Sequence, residues 1–268
     1  MLRRSLRALW PALVLAAALP VAALAGPTVP ELIVEAPEEL RGVAGRIDTM
    51  DRDRLAVGME LLGRRGPEDP IKVILAGEDS PAGRNVPSWV AGYAYGSLGT
   101  VVLLPGRTPS YPDTSLEELL RHEVAHVLIA RSAAGRPLPR WFNEGVAMIA
   151  GGSWSLQDRS RMTLAMLTGS PLPLPEVSRL FQGGRRSASR AYALSEAFVR
   201  LLLQRHGTGV IADILGGVAL GLPFEEAFRR ATGHGLAAVE NVFWRQESIW
   251  YRWVPVLTSS ATLWLGIT

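Results

Sequence analysis

His-Glu-Val-Ala-His at 122–126 constrains this chain more than any other stretch, because two imidazoles four residues apart share a face when the segment is helical. Leu116, Leu119, Leu120, Val124, Val127 and Leu128 recur at spacings of three and four, which predicts one long helix from about Thr114 with Ser115 and Glu118 as a capping box. One turn of that helix stacks His122 and His126 about 6 Å apart along the axis, a geometry that suits two ligands of one tetrahedral ion. Glu123 sits beside the first ligand, where its carboxylate can take a proton from a metal-activated water without ligating the metal itself.

A hydrolytic zinc centre uses three protein ligands and keeps one position open. Trp-Phe-Asn-Glu-Gly at 141–145 offers the third. Ala133 to Pro139 bears Gly and Pro and turns the chain back, so a second helix from about Trp141 to Ala150 is expected to face the first and to present Glu144. The expected site is Zn2+ held by His122, His126 and Glu144, with Glu123 as general base. The chain has only four histidines, and two of them fall in this motif.

These residues resemble the gluzincin metallopeptidases, in particular the peptidase MA-like family with its His-Glu-x-x-His and Trp-x-x-Glu-Gly signatures. Thermolysin-like enzymes share the Asn-Glu pair. The likeness runs on through Ala191-Tyr192-Ala193-Leu194-Ser195, His206-Gly207, Pro223 to Phe228 and Ala231-Thr232-Gly233, and so covers roughly Leu55 to Trp250. It implies an α+β, zincin-like fold: a small N-terminal mixed sheet with its edge strand over the cleft, the zinc helix beneath, and a helical C-terminal lobe. It also implies a zinc metallopeptidase acting on a peptide or protein substrate.

Two finer expectations come with the resemblance. The apolar strand Thr100 to Leu104, just upstream of the zinc helix, would be the sheet edge along which an extended peptide pairs. Tyr192, near the start of a helix from Ala188 to Arg205, would donate its hydroxyl to the oxyanion of the tetrahedral intermediate. Tyr93 and Tyr95 read more readily as packing than as walls of the groove. The Gly-x-Met-Glu-Asn loop of aminopeptidase-type gluzincins is absent, which removes the usual anchor for an exopeptidase.

Met1 to Ala25 reads as an export signal, with Arg3, Arg4 and Arg7 ahead of an uncharged apolar run and Ala23-Leu24-Ala25 as a small-x-small cleavage site; an uncleaved anchor is the alternative. The catalytic domain is then expected over 26–252. Residues 253–268 carry no charge and form an apolar tail that, as a helix of about 24 Å, is short for a bilayer core. The protein is thus expected outside the cytoplasm, periplasmic or extracellular, with membrane association open at either terminus.

The chain holds 28 basic and 25 acidic residues, and losing the three signal arginines leaves the two counts equal. That balance gives no argument for nucleic acid. Cysteine is absent, so neither disulfides nor thiolate ligands are available. A composition 48% hydrophobic must supply the core instead.

Short strands are expected at 31–35 and from Ile71 to Ala76, with one helix between them from Pro37 to about Leu62 and a solvated charged face over Asp48 to Arg54. Gly77 to Val90 reads as loop. A short helix is expected from Asp158 to Leu167, then a rigid spacer through Pro171, Pro173 and Pro175. Gly183 to Arg186 reads as a basic surface loop, and Ser187 as the cap of the helix behind it. Three more helices follow Gly207, with breaks at Gly216-Gly217, Gly221 to Pro223 and Gly233 to Gly235. His206 and His234 lack ligand spacing; the helix C-terminus is expected to favour protonation of His206. Two other readings of the site stay open: hydrolysis of a non-peptide substrate, and a catalytically silent or latent envelope binding or scaffold module.

Overall fold

Alternation in Ile71–Leu75 (β2) sets the layering: Ile71, Val73 and Leu75 are buried on one side, while Lys72 and Ile74 face the other. A computed structural model describes residues 28–109, 115–152 and 171–245. The export segment, the helix expected at 158–167 and the tail at 253–268 lie outside the described residues.

Leu32–Glu35 (β1) and Thr100–Leu103 (β4) pair parallel with β2 on either side, and Gly92–Tyr95 (β3) pairs antiparallel with β4. The strand order is β1-β2-β4-β3, a small mixed sheet. The expected edge, Thr100 to Leu104, is therefore internal, and β3 is the edge on that side, with β1 at the other. The sequence explains this: Val101-Val102-Leu103-Leu104 is apolar on both faces, as an interior strand requires, whereas Gly92-Tyr93-Ala94-Tyr95 alternates small and large. The turn from β3 to β4 passes through Gly99 at φ +59°, a left-handed conformation that favours glycine.

The helix expected over Pro37 to Leu62 is broken. A 3₁₀ turn at Glu38–Leu40 leads into Arg41–Asp48 (α1), and Asp53–Leu61 (α2) follows separately. The Thr49 hydroxyl donates to the Arg46 carbonyl at 3.1 Å, and Asp51 Oδ1 accepts from the Asp53 backbone N–H at 2.9 Å. Short polar side chains have taken over backbone groups here and turned the chain. The Gly77 to Val90 loop contains one helical turn, Pro81–Arg84 (α3), capped by Ser80.

Leu116–Ser132 (α4) lies under the sheet, and Arg140–Ala150 (α5) folds back beside it. The rear of α4 is fixed by Arg131, whose Nη1 donates to the Asp69 carbonyl at 2.8 Å and to Glu68 Oε2 at 3.3 Å. Arg64 also pairs with the buried Glu68 carboxylate. This clamp ties the end of α4 to the entry of β2.

Leu174–Leu180 (α6) contains Pro175 in its first turn and has Pro173 as its N-cap, so these prolines start a helix where a spacer was expected. Arg185–His206 (α7) starts at Gly184, and Ser187, expected as its cap, instead donates to the Leu180 carbonyl at 2.7 Å. Val210–Ala219 (α8) runs through Gly216-Gly217 without the expected break. A Cβ on Gly217 would stand 2.9 Å from that of Ala227, so this glycine admits Phe224–Thr232 (α9) at close range. Residues 236–245 (α10) are helical.

One apolar cluster runs from Leu32 through the helices to Phe243. Its aromatic centre is Trp141 against Phe198 at 5.0 Å, Phe142 against Phe224 at 5.0 Å and Phe198 against Phe243 at 5.4 Å, mostly edge-on. Such pairs add about 0.5–1.5 kcal/mol each to the burial itself. No helix among the described residues is long and apolar enough to cross a membrane.

Phe198→Ala should therefore lose about 3–5 kcal/mol in urea unfolding, whereas Leu220→Ala, at a site 88% exposed, should stay within about 0.5 kcal/mol. Equal effects at the two positions would contradict the placement of the core.

Candidate metal centre

The helix that carries both histidines, α4, is well built at both ends. Ser115 Oγ accepts from the Glu118 N–H at 3.2 Å, Glu117 and Glu118 stand at the positive end of the dipole, and Arg131 stands at the negative end. The intervening turns bury Arg121, His122 and Glu123. His122 and His126 meet with ring centroids 4.8 Å apart and Nε2 atoms 3.1 Å apart.

Glu144 on α5 completes the group. Its Oε2 lies 3.6 Å from His122 Nε2 and 3.4 Å from His126 Nε2, and it is buried with no hydrogen bond of its own. Ligands about 2.0–2.1 Å from a tetrahedral zinc stand about 3.3 Å apart, close to all three separations. Two imidazoles and one carboxylate with an orphaned oxygen are a donor set suited to zinc.

Several contacts hold these atoms in register. Asn143 Oδ1 lies 3.1 Å from His126 Nδ1, where it can accept a hydrogen bond from the Nδ1–H and leave Nε2 to face His122 and Glu144. The Arg121 Nε donates to the Gly151 carbonyl at 2.9 Å and pins the end of α5 to α4. A Cβ on Gly145 would sit 2.5 Å from the Ser195 carbonyl oxygen, so glycine beside Glu144 lets α5 and α7 touch backbone to backbone. Asn143 is the site residue that the motif-spacing argument missed; its signal was its place next to Glu144 in the same helical turn.

Glu123 is buried beneath the edge strand. A Cβ on Gly92 would stand 3.2 Å from Glu123 Oε1 and 3.0 Å from Leu119 Cδ1, so β3 passes directly over this carboxylate. Alternation then sends Tyr93 and Tyr95 to the opposite face. Tyr93 packs there against Val102 and Leu104, and Tyr95 is half exposed beside it at 5.5 Å. Burial, then the neighbouring Tyr95, push the Tyr93 pKa up. The ring of Tyr192 does reach the centre, 6.2 Å from His122 and 5.0 Å from Phe181.

His206 and His234 lie away from this group, in a cleft shared with Arg205 and Arg245. The His206 pKa is lowered by burial and by the charges of His234 and Arg205, contrary to the rise expected from its helix terminus.

Burial opposes protonation of His126, but contact with Glu144 and its charge outweigh this and raise its pKa above 6.5. Burial alone would raise the Glu144 pKa; the two imidazoles lower it far below the usual carboxylate range. In the metal-free protein the His126 contribution to stability is full below pH 6.5 and lost as pH rises through its raised value. The Glu144 contribution is full above pH 4.5 and lost on acidification through its lowered value.

Zinc needs the neutral imidazole, so uptake near pH 6.5 should release a proton from His126, and affinity should fall as pH drops. Titration calorimetry in two buffers of different ionisation enthalpy measures this, and identical heats in both would refute it. Asn143→Ala should weaken zinc binding about 10- to 100-fold in competition with a chelator. An unchanged affinity would remove its orienting role.

No curated protein matches the chain. The family model for the Peptidase MA superfamily matches residues 76–249, more than half of the sequence, and spans β3, β4, α4 and α5. By its fold, its His-His-Glu cluster and this match, the chain belongs to the Peptidase MA superfamily.

Proposed function

We propose that the protein is a zinc-dependent metallopeptidase of the gluzincin type, acting outside the cytoplasm on peptide or protein substrates. The observation that carries this reading is the convergence of His122, His126 and Glu144 next to the buried carboxylate of Glu123, under a strand that forms the sheet edge among the described residues. When bound, zinc would polarise the scissile carbonyl and lower the pKa of water towards neutrality.

The chain's own groups divide the remaining work. An extended peptide pairs with β3 by main-chain hydrogen bonds, and the lack of a side chain at Gly92 lets its backbone approach Glu123. Glu123 takes the proton of the attacking water and returns it to the leaving amine. Tyr192 gives its hydroxyl hydrogen bond to the oxygen that becomes negative in the transition state. Asn143 holds the His126 ring and touches no reacting atom.

Membrane association at either terminus, a domain spanning 26–252 and a location in the periplasm or beyond are part of the same proposal. Their support is the basic, then apolar, start of the sequence and the uncharged stretch at its end.

Glu123→Ala should keep its zinc and lose about 10²- to 10⁴-fold in cleavage of a mixed peptide library read by mass spectrometry. Tyr192→Phe should lower kcat about tenfold or more at unchanged metal content. Cleavage by Glu123→Ala at the wild-type rate would refute the peptidase reading, and an unchanged kcat in Tyr192→Phe would return that residue to packing.

A further inference from the structure

Arg140 stands at the rim of the metal centre. Its Nε is 3.4 Å from Glu144 Oε1, the oxygen turned away from the imidazoles, and its guanidinium carbon lies 4.7 Å above the Phe181 ring. Phe181 meets Tyr192 edge-on, and Tyr192 meets His122 in the same way. A continuous stack of rings thus sets the plane of the guanidinium beside the third ligand.

These contacts use only Nε and one face of the group. Among the described residues Nη1 and Nη2 donate to no protein group, and 46% of the side chain is exposed. The open edge is a planar two-pronged donor, whose natural complement is a carboxylate. An ion pair this long and this exposed holds Glu144 only weakly, so fixing Glu144 does not account for the stacking on Phe181.

The flank that carries Phe181 and Tyr192 is rich in arginine. Between Val177 and Ser195 the chain has Arg179, Arg185, Arg186 and Arg190 and no acidic residue. Arg185 and Arg186 open α7, where the first turn holds no acid and no side-chain cap. Positive charge at that end opposes the helix dipole, so helix stability does not explain it. A negatively charged ligand would be drawn to this side of the centre.

We propose that Arg140 is the specificity residue of the site, and that the substrate carries a carboxylate near the scissile bond, as an acidic side chain or a free C-terminus. The proposal rests on the peptidase reading above and narrows its substrate class.

The test uses the full zinc-loaded chain and fluorophore-labelled alanine octapeptides with one Glu or Gln at each position in turn, each as free acid and as amide. Binding is measured by anisotropy on the Glu123→Gln variant, and kcat/KM on the wild type. One position, or the C-terminus, should show a charged-over-neutral preference of about tenfold or more. The Glu series and the acid-amide series say which carboxylate is read. Adding Arg140→Gln should bring that ratio close to one, whatever happens to the absolute rate, and Arg140→Lys should leave an intermediate ratio because charge remains while the fork is lost.

No preference at any position would overturn the proposal, as would a preference that survives Arg140→Gln. Zinc loss in Arg140→Gln with the ratio kept would likewise overturn it, by reducing Arg140 to a support for Glu144. If the wild type cleaves nothing but Arg140-dependent selectivity persists in binding, the peptidase reading fails and the recognition stands.

Discussion

Three polar groups that would each prefer water are brought together in a nearly dry pocket. The Nε2 atoms of His122 and His126 and the Oε2 of Glu144 lie within 4.8 Å of one another, and the Glu144 oxygen has no hydrogen bond to compensate for its burial. Removing such groups from solvent is unfavourable unless an ion or a proton rewards it. The rest of the architecture holds α4 and α5 at the separation that makes the cluster, through the Arg121 bond to Gly151, the glycine contact between α5 and α7, and the Arg131 clamp on the loop before β2. The aromatic cluster around Trp141 and Phe198 supplies the apolar burial behind that arrangement.

The sheet contributes both core and edge. With β2 and β4 inside, β3 has one side unpaired among the described residues, and Gly92 lies over Glu123. The same alternation that removes a side chain above the carboxylate turns Tyr93 and Tyr95 away from it. In the proposed reading, backbone pairing along β3 would hold an extended peptide and Arg140, beside Glu144, would discriminate among substrates.

Much of this was legible in the sequence because it is local. The 3.6-residue period of Leu119, Val124 and Leu128, the Ser115 cap and the four-residue histidine spacing all lie within one helix, and the structure places them as read. Glu144 was legible because the loop from Ala133 to Pro139 leaves little choice but to return. Strand order was not: β2 and β4 are joined by pairing across a long intervening stretch, which no local pattern records. Even so, the unbroken apolar run at Val101 to Leu104 argues for an interior strand, and the small-large alternation of β3 for an edge. Gly217 and Ser187 show the same limit, since a glycine that admits a neighbouring helix and a serine that bonds the previous turn look like a break and a cap until their partners are known.

The most direct test of the central claim is the zinc X-ray absorption spectrum of the purified, zinc-loaded chain beside Glu144→Ala. The predicted spectrum shows two imidazole nitrogens and one carboxylate oxygen at about 2.0–2.2 Å with a further light-atom ligand, and the variant loses the ion or its carboxylate scatterer. A spectrum without two imidazoles, or one that Glu144→Ala leaves unchanged, would contradict a centre built from His122, His126 and Glu144.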